Sequence, residues 1–550
     1  IKDSITIYNS SKELANSLES EFIFFIESYA SVQSINLNKI LKYFEIDKSI
    51  GLVGLKVVDN KGNLYQAGGI NIDQNNFINY GEKEDALLPQ FNYYKEVDFV
   101  SFGIFLRKST YLSIDGDLFF KNDMKKYVEI SNLFKTISKR IVYEPKSIIS
   151  VVSNIIMAKR KHEVKGNLFL LRDRSINKKT IVVIDHCIPH FEEDAGSRTI
   201  WQYINIFVDL GLNVKLIGHT FYHYPENSYL ERFENLGVEV LHGEYYLNNW
   251  KKWFKENGLF IDYTFITRPN IAIHYLETIK QNTKAKIVYY GQDLHFLRLE
   301  REYTLKQDPK LLKDAEEYKR IELKVFQEVD EILTISTEEV NYFKKYFSQK
   351  NVYLIPTFIY EKTFPLSMKN YDERSGILFV GGFAHPANYD GIKWFIENIW
   401  DYVKKNNKSI VFNIVGSKMP DDIKNYAAND LNIKALGFVS DDELYNLYDS
   451  CKLVIAPLRF GAGVKGKVIE AIAHGIPTVT TTIGAEGIFE SDRLLKISDD
   501  AQSFANEINN FLNNENEWNR IRNNQIDYSN KYLSYKNALK IVNKFLGRGN

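Results

Sequence analysis

From Lys178 onward, the sequence alternates short apolar runs with longer amphipathic stretches. Continuous apolar runs of about four to seven residues are typical of parallel strands that are covered on both faces. In chain order they read TIVVID, VKLIG, VEVLHG, YTFIT, KIVYYG and EILTIS, and after Pro356 ILFVGG, VFNIVG, IKALGF, LVIAPL and PTVTTT. Two such series predict an α/β chain with two Rossmann-like lobes, whose ligands bind beyond the carboxyl ends of the strands.

The chain is 550 residues long, which is more than one hydrophobic core can serve. We expect a first module over residues 1–120, a helical connector over 121–176, an N-terminal lobe over 177–360 and a C-terminal lobe over 361–550. In the connector, residues 145–161 place Ile148, Val152 and Ile156 on one face of a helix, ahead of a basic cluster. A helix packed between domains is the expectation, and a helix on an anionic membrane surface is the alternative.

Composition excludes some classes of function. The chain has 70 Lys and Arg against 70 Asp and Glu, so we expect no nucleic-acid partner. Its two cysteines, Cys187 and Cys451, lie far apart and favour a reducing compartment. No run reaches the roughly 18–20 apolar residues of a membrane span. We therefore expect a cytoplasmic protein, with contact at the inner face of the membrane left open. The first residue is Ile1, without a leader pattern, and this predicts a segment of a longer protein.

The strongest local motif is PLRFGAGVKGKVIEAIAHGIPTVTT at residues 457–481, a strand followed by a glycine-rich loop and a helix. Glycines let backbone N–H groups approach phosphates closely, and the following helix N-terminus adds its positive end. The cations Arg459, Lys465 and Lys467 can neutralise a diphosphate, and Glu470 can accept hydrogen bonds from ribose hydroxyls. The motif therefore predicts a nucleotide-diphosphate site.

This segment resembles the donor-binding signature of glycosyltransferase family 4, whose members have the GT-B fold. The resemblance extends over about residues 178–546 and includes FVGGFAHPANYDGIKWF, IVGSKMP and LGFVSDDELYNLYDSCKLVIAPL. It implies a retaining enzyme that uses a nucleotide-diphosphate sugar as co-substrate, with no bound cofactor and no metal. Arg459, Lys467 and helix N-termini would stabilise the charge that develops on the leaving diphosphate.

The resemblance also implies a set of donor-binding residues, namely Gly382, His385, Asn388, Phe438, Val439, Gly461, Gly463, Lys465 and Glu470. Many family members carry two glutamates eight positions apart, and the earlier one contacts the donor sugar. That earlier position is Ala462 in this sequence. We expect Lys465 or the loop at 385–388 to take over part of its role. For Phe438, contact with the nucleobase and a place in the core both remain open.

Two N-lobe segments should complete the cleft. In the family, the first loop, here IDHCIPHFEEDAGSRTIWQ at 184–202, lies under the diphosphate and lines the acceptor side. The candidates for the acceptor side and the cleft are Asp185, Asp194, Gly196, Ser197, Arg198 and, in ITRPN, Arg268, for which a surface salt bridge is the alternative. In YYGQDLHFLR at 289–298, Asp293 and His295 are the catalytic candidates, together with Arg459 and Lys467. Relatives often have a histidine where this chain has Gln292, and a purely structural, buried Asp293 is the alternative.

Residues from about 15 to 115 resemble the second half of a glycosyltransferase family 2 domain, of GT-A fold. The resemblance rests on IGLVGLKVVDNKGNLYQAGGI at 50–70 and on residues 79–109. Tyr29 stands where that family has the aspartate of its metal motif, no acidic pair matches its catalytic residues, and the nucleotide-binding half is absent. We expect a degenerate module that serves acceptor binding, scaffolding or dimerisation, so a homodimer is left open.

Together these features predict transfer of a sugar to a glycan, lipid-linked or protein acceptor in bacterial surface polysaccharide or glycoprotein synthesis. Two alternatives remain open. One is a sugar-nucleotide epimerase with the same two-lobed fold, and the other is a non-catalytic sugar-binding scaffold. The donor base, the sugar and the acceptor cannot be read from the sequence, because a few loop contacts determine specificity.

Overall fold

The computed structural model describes residues 19–72, 76–114, 118–119, 121, 125–152, 168–220, 228–361, 364–461 and 463–548. The chain divides into two compact units. The first unit comprises Ile1–Val183, Phe207–Asp262 and Asn282–Lys284, and the second comprises Ile184–Ile206, Tyr263–Gln281 and Ala285–Asn550. These boundaries do not coincide with those expected at 120, 176 and 360, and the four-part division stays a prediction.

In the first unit, a mixed sheet is followed by the first strands of the alternating α/β series. The strands are β1 Phe22–Ile26, β2 Ala30–Ser34, β3 Ile50–Asp59, β4 Leu64–Gln66, β5 Gly69–Asn71, β6 Phe77–Asn79, β7 Lys95–Glu96, β8 Gly103–Arg107, β9 Arg140–Val151, β10 Thr180–Asp185, β11 Asn213–Gly218 and β12 Glu239–Leu241. The helices are α1 Leu37–Ile46, α2 Lys108–Ser113, α3 Lys125–Thr136, α4 Leu168–Leu171, α5 Ala195–Asp209, α6 Ser228–Asn235 and α7 Gly243–Asn257. Strand β10 ends in the second unit, and α5 begins in the second unit and ends in the first.

The mixed sheet has the order β1-β8-β3-β9-β2, with β3 and β9 parallel and the other pairs on this path antiparallel. The helix expected from residue 145 is wrong for residues 145–151, which belong to β9. Isoleucine and valine favour strands, and burial alternates from Lys146 to Val151 as the period of a strand requires. Pro145 is tolerated because the pairing with β3 shifts register there. Val152 is not helical either, and residues 153–161 of that expected helix lie outside the described residues.

The second unit continues the alternation of strands and helices. Its strands are β13 Tyr263–Thr267, β14 Lys286–Tyr290, β15 Glu331–Thr334, β16 Asn351–Leu354, β17 Ile377–Val380, β18 Phe412–Val415, β19 Ile433–Gly437, β20 Leu453–Ala456, β21 Thr478–Thr480 and β22 Lys496–Ile497. Its helices are α8 Pro269–Asn282, α9 His295–Lys306, α10 Pro309–Glu328, α11 Thr337–Tyr346, α12 Pro386–Asn398, α13 Trp400–Asn406, α14 Asp421–Asn429, α15 Asp441–Ser450, α16 Gly466–His474, α17 Thr482–Ala485, α18 Ser491–Leu494, α19 Ala501–Asn513, α20 Glu515–Tyr528 and α21 Tyr535–Phe545.

Parallel pairing runs through both strand series of the second unit. Strands β13 to β16 pair in sequence order, and β17 to β22 form a six-stranded sheet of order β19-β18-β17-β20-β21-β22. All eleven runs named from the sequence contain one of these parallel strands or one of β10 to β12. The short strands β16 and β22 were not anticipated, and neither contains a fully buried residue, unlike β13 and β15. In the part of the chain that the structure describes, no helix is both long and apolar enough to cross a bilayer.

A buried cluster of charges connects the N-terminal module (residues 1–120) to β11 and β12. Arg172 and Asp173 are each only 5% exposed, and they pair with Glu239 and Lys215, which are fully buried. Lys215 also lies 2.8 Å from Glu239. Tyr80 and Tyr93 of the N-terminal module extend the cluster, since Arg172 donates to Tyr80 at 3.1 Å and Tyr93 donates to Asp173 at 2.9 Å. A cut at residue 178 would therefore separate buried charges from their partners.

We predict that Arg172→Met lowers the free energy of unfolding by about 3–5 kcal/mol, because it leaves Glu239 buried with one partner fewer. Arg174→Met is the matched control. Arg174 makes its ion pairs with Glu96 and Asp98 while 36% exposed, so its loss should cost about 1 kcal/mol or less. Urea denaturation of the full chain measures both. Equal losses in the free energy of unfolding would mean that the buried cluster contributes no more to stability than a surface ion pair does.

Candidate functional site

The glycine-rich loop lies between β20 and α16, as expected. Gly461 and Gly463 both have positive φ, 132° and 71°, a conformation that side chains with a Cβ rarely adopt. Helix α16 begins at Gly466, where an added Cβ would lie 3.1 Å from the Phe358 ring. The loop therefore needs glycine at these positions both for its turn and for its close packing. Ala462, the position of the missing glutamate, lies outside the described residues.

Lys467, in the first turn of α16, is the most unusual charge in the site. Its ammonium donates to Asn388 Oδ1 at 2.5 Å and lies 4.4 Å from the centre of the Phe379 ring. A Cβ on Gly381 would lie 2.4 Å from the Lys467 Nζ atom, so glycine is required for this approach. Within the described ranges, no carboxylate pairs with Lys467. Desolvation, with the nearby Lys465 charge adding to it, lowers the pKa of Lys467 to about 7.

The other two cations of the motif are already paired. Arg459 makes a two-point ion pair with Asp390 of α12 and is half exposed, so much of its charge is compensated. Lys465 donates to the carbonyl of Gly463 at 2.5 Å and lies 3.7 Å from Glu486. The three cations of the motif therefore have different surroundings. Lys467 is the cation of the motif left without a carboxylate in the described residues.

Glu470, one helical turn further along α16, is held by two donors. Arg198 of α5 donates to its Oε1 atom at 3.1 Å, and the Tyr448 hydroxyl donates to Oε2 at 3.3 Å. The Arg198 guanidinium also lies 4.5 Å from the centre of the Phe358 ring. The structure thus brings Arg198 of the first loop and Glu470 of the donor motif together. Ribose binding by Glu470 stays a prediction.

Asp293 lies in the turn between β14 and α9, close to the glycine-rich loop. A Cβ on Gly463 would lie 3.5 Å from the Asp293 Cβ. The Asp293 carboxylate accepts from Arg298 at 2.8 Å and lies 3.0 Å from His295 Nδ1. These partners keep its pKa below the usual value although burial opposes them. The two catalytic candidates of this turn are therefore in direct contact with each other.

Two buried glutamates hold the backbone of the same turn. Glu322 of α10 accepts from the amides of His295 and Phe296, both at 3.0 Å, and Glu339 of α11 accepts from the amide of Leu294 at 2.9 Å. Burial raises the pKa of Glu322 to about 7 and that of Glu339 to about 8. Three consecutive amides at the start of α9 are thus satisfied by side chains. These glutamates, and not Asp293, therefore cap the start of α9. The structure does not support the alternative in which Asp293 only caps this segment.

The first loop meets this turn at Gly196. A Cβ on Gly196 would lie 2.8 Å from Nε2 of Gln292, and that nitrogen is buried without a hydrogen-bond acceptor among the described residues. Asp194 accepts from the amide of Ser197 at 2.9 Å and so caps α5. Ser197 is fully buried. Asp194 and Ser197 therefore act in the local structure, and their acceptor role stays a prediction.

Asp185 and Arg268 form a second polar group at the carboxyl ends of β10 and β13. Asp185 is fully buried, and its Oδ1 atom accepts from the Thr267 hydroxyl at 2.5 Å and from Arg268 Nε at 3.2 Å. Arg268 has a φ of 57°, a left-handed conformation that is uncommon outside glycine. Arg268 thus forms a salt bridge, as the alternative to a cleft role supposed, but its partner Asp185 is completely buried and not on the surface.

The remaining donor candidates lie on loops of the C-terminal sheet. Phe438 is 81% exposed, so the core position considered for it is wrong, whereas Val439 is partly buried. The Asn388 amide donates to the carbonyl of Gly382 at 2.7 Å, and His385 precedes the first residue of α12. Gly382 faces the Ser417 hydroxyl, which would be 3.2 Å from an added Cβ. The Asn388 side chain thus already forms hydrogen bonds with Lys467 and with Gly382. Donor binding by His385 stays a prediction.

Sequence reasoning missed several residues of the site. Glu322 and Glu339 were not singled out, although each occupies a buried position on an otherwise amphipathic helix, and this pattern was the available signal. Arg301 and Glu486 also pair beside the loop, but their positions 185 residues apart gave no local pattern. Neither cysteine is paired, and burial raises the pKa of both thiols.

Comparison with known proteins supports the fold. Residues 374–514 match the family model described as glycosyl transferases group 1. Sucrose-phosphate synthase from Thermosynechococcus elongatus is similar in structure, with a TM-score of 0.51 and 14% identity, over 67% of this chain and 98% of that one. The chain has the GT-B fold. This confirms the expected α/β architecture of two Rossmann-like lobes, and at this identity the similarity shows the fold alone.

A curated relative also matches part of the sequence. It is an uncharacterized 44.6 kDa protein in cps region of Klebsiella pneumoniae, 31% identical over 159 residues. The match covers 27% of this chain and 40% of that relative. This chain therefore spans less than half of the length of the curated relative. These comparisons do not confirm the GT-A-like character of the N-terminal module, which stays a prediction.

We predict that Lys467→Met raises the melting temperature of the unliganded protein near neutral pH. The Lys467 pKa is about 7 in the folded state and about 10.5 when unfolded, so the unfolded state binds more protons between these values. The destabilisation by Lys467 is therefore complete below pH 7 and fades as pH rises towards 10.5. Differential scanning calorimetry of both proteins across this range measures it. A gain in melting temperature that does not shrink as the pH rises would contradict the lowered pKa of Lys467.

Proposed function

We propose that this chain is a retaining, metal-independent glycosyltransferase that moves a sugar from a nucleotide-diphosphate sugar to a glycan or glycoconjugate acceptor. The acceptor is a glycan, a lipid-linked sugar or a protein, and the curated relative in a capsule polysaccharide (cps) region favours a polysaccharide pathway. We place the reaction in the cytoplasm or at the inner face of the membrane. The N-terminal module is proposed to organise the acceptor or a second copy of the chain without chemistry of its own.

The observation that carries this proposal is the uncompensated Lys467. A lysine whose pKa has been lowered by desolvation gains most from an anion that arrives with a ligand. The glycine-rich loop and the first turn of α16 offer backbone N–H groups beside it, and Gly381 allows a close approach. A diphosphate satisfies this arrangement through its charge, its size and its many acceptor oxygens.

We propose that the same residues also act in catalysis. When the bond between the sugar and the phosphate breaks, its electron pair stays on the phosphate oxygen and negative charge develops there. A cation that is already in place stabilises this charge without reorganisation. We assign this role to Lys467, supported by Lys465, and we assign Arg459 a smaller share because Asp390 already neutralises it. We assign Asp293 and His295, which lie in the turn beside Gly463, to the side of the reacting sugar.

We predict that Lys467→Met lowers turnover of the full chain by about 10²–10³-fold, the usual cost of losing one such contact. Nucleoside diphosphate release from UDP-, GDP- and ADP-sugars, with glycan and glycolipid acceptors, measures turnover. Lys393→Met is the control, because Lys393 lies on α12, is 44% exposed and only approaches Glu397 at 3.9 Å.

Near-normal turnover by Lys467→Met would remove the diphosphate assignment. Loss of all activity in EDTA, restored by manganese or magnesium, would contradict metal independence, and inverted product stereochemistry would contradict retention. Conversion of the sugar nucleotide to an epimer without any acceptor would favour an epimerase instead.

A further inference from the structure

Glu486 is a carboxylate beside the glycine-rich loop to which the proposed reaction gives no role. It follows α17 directly, and its own side chain is only 13% exposed. The next residue, Gly487, has a φ of 77°, and a Cβ there would lie 2.7 Å from the Val464 side chain. The backbone at Gly487 therefore packs closely against the glycine-rich loop, and this restricts the position of the neighbouring Glu486 carboxylate.

The two oxygens of Glu486 have different surroundings. Oε1 accepts from Arg301 of α9. Oε2 is buried and has no hydrogen-bond donor in the part of the chain that the structure describes. Lys465 Nζ lies 3.7 Å from Oε2, beyond hydrogen-bond distance, and donates to the Gly463 carbonyl instead. A buried carboxylate oxygen without a donor is unfavourable, which points to a hydrogen-bond donor supplied from outside.

The chemistry of this place restricts what that donor is. A carboxylate repels the phosphates that Lys465 and Lys467 would attract, so its partner is the uncharged part of the ligand. A sugar bonded to the diphosphate necessarily lies within a few ångströms of the loop and carries hydroxyl donors. Asn388, one of the residues expected to replace the missing glutamate at Ala462, is already engaged by Lys467 and Gly382.

We propose that Glu486 is a specificity residue for the donor sugar, and that its Oε2 atom accepts a hydrogen bond from a sugar hydroxyl. Lys465 holds the carboxylate on the loop side, and Arg301 holds it from α9. The assignment rests on the proposed function, because it requires a sugar attached to a diphosphate in the loop. It deepens that function by naming the group that distinguishes the sugar nucleotide from the nucleoside diphosphate alone.

The test compares ligands with and without the sugar. Calorimetry measures binding of UDP, GDP and ADP, and of their glucose, galactose, mannose and N-acetylglucosamine forms, to the full chain. Glu486→Gln should weaken the preferred sugar nucleotide by about 10–100-fold, as expected for a hydrogen bond to a charged group. The affinity for the matching nucleoside diphosphate should change by less than about threefold. Glu490→Gln is the control, since Glu490 lies in the same segment and pairs with Arg493.

A second variant separates the carboxylate from its ion pair. Arg301→Gln breaks the same pair from the other side but keeps Glu486, so it should affect sugar-nucleotide binding much less than Glu486→Gln does. Equal losses in both variants, or equal weakening of sugar nucleotide and nucleoside diphosphate by Glu486→Gln, would overturn the assignment and leave the proposed function intact. Failure of the wild-type chain to bind any nucleoside diphosphate would overturn the proposed function itself.

Discussion

An uncompensated positive charge at the start of α16 is the constraint on which the site depends. Lys467 is largely desolvated, contacts an amide oxygen and an aromatic ring, and has no carboxylate partner in the described residues. Such a charge lowers stability unless a ligand supplies the missing anion. Three glycines make this arrangement of Lys467 possible. Gly381 leaves room for its ammonium, and Gly461 and Gly463 adopt the positive φ angles of the loop. On the proposed function, a bound diphosphate would offset this loss of stability.

The carboxylates around this charge are placed so that none neutralises it. Asp390 pairs with Arg459, Glu470 with Arg198, and Glu486 with Arg301 and Lys465. Glu322 and Glu339 accept from backbone amides and fix the turn that presents Asp293. Each carboxylate thus positions another part of the site. The arrangement leaves an anion-attracting position at Lys467, with neutral or acidic groups on the sides where a sugar would lie.

Local sequence patterns predicted a large part of the fold and the core of the site. The parallel strands are short apolar runs, and the glycine-rich loop carries its chemistry within about ten residues, so both could be recognised without a structure. Residues 145–151 were misassigned because β-branched residues at that spacing also fit a helical face. Glu322, Glu339 and Glu486 were missed because each acts through partners distant in sequence. The same holds for the pairing of Arg459 with Asp390, which 69 positions separate.

Buried polar contacts also hold the N-terminal module in place. Its tyrosines Tyr80 and Tyr93 contact Arg172 and Asp173, whose other partners lie on β11 and β12, so the module is anchored by buried charges.

A crystal structure of the full chain with a bound nucleoside diphosphate tests the role of Lys467 most directly. We expect a phosphate oxygen about 2.7–3.2 Å from the Lys467 nitrogen, in place of Asn388. A diphosphate bound elsewhere, with Lys467 still on Asn388, would contradict it.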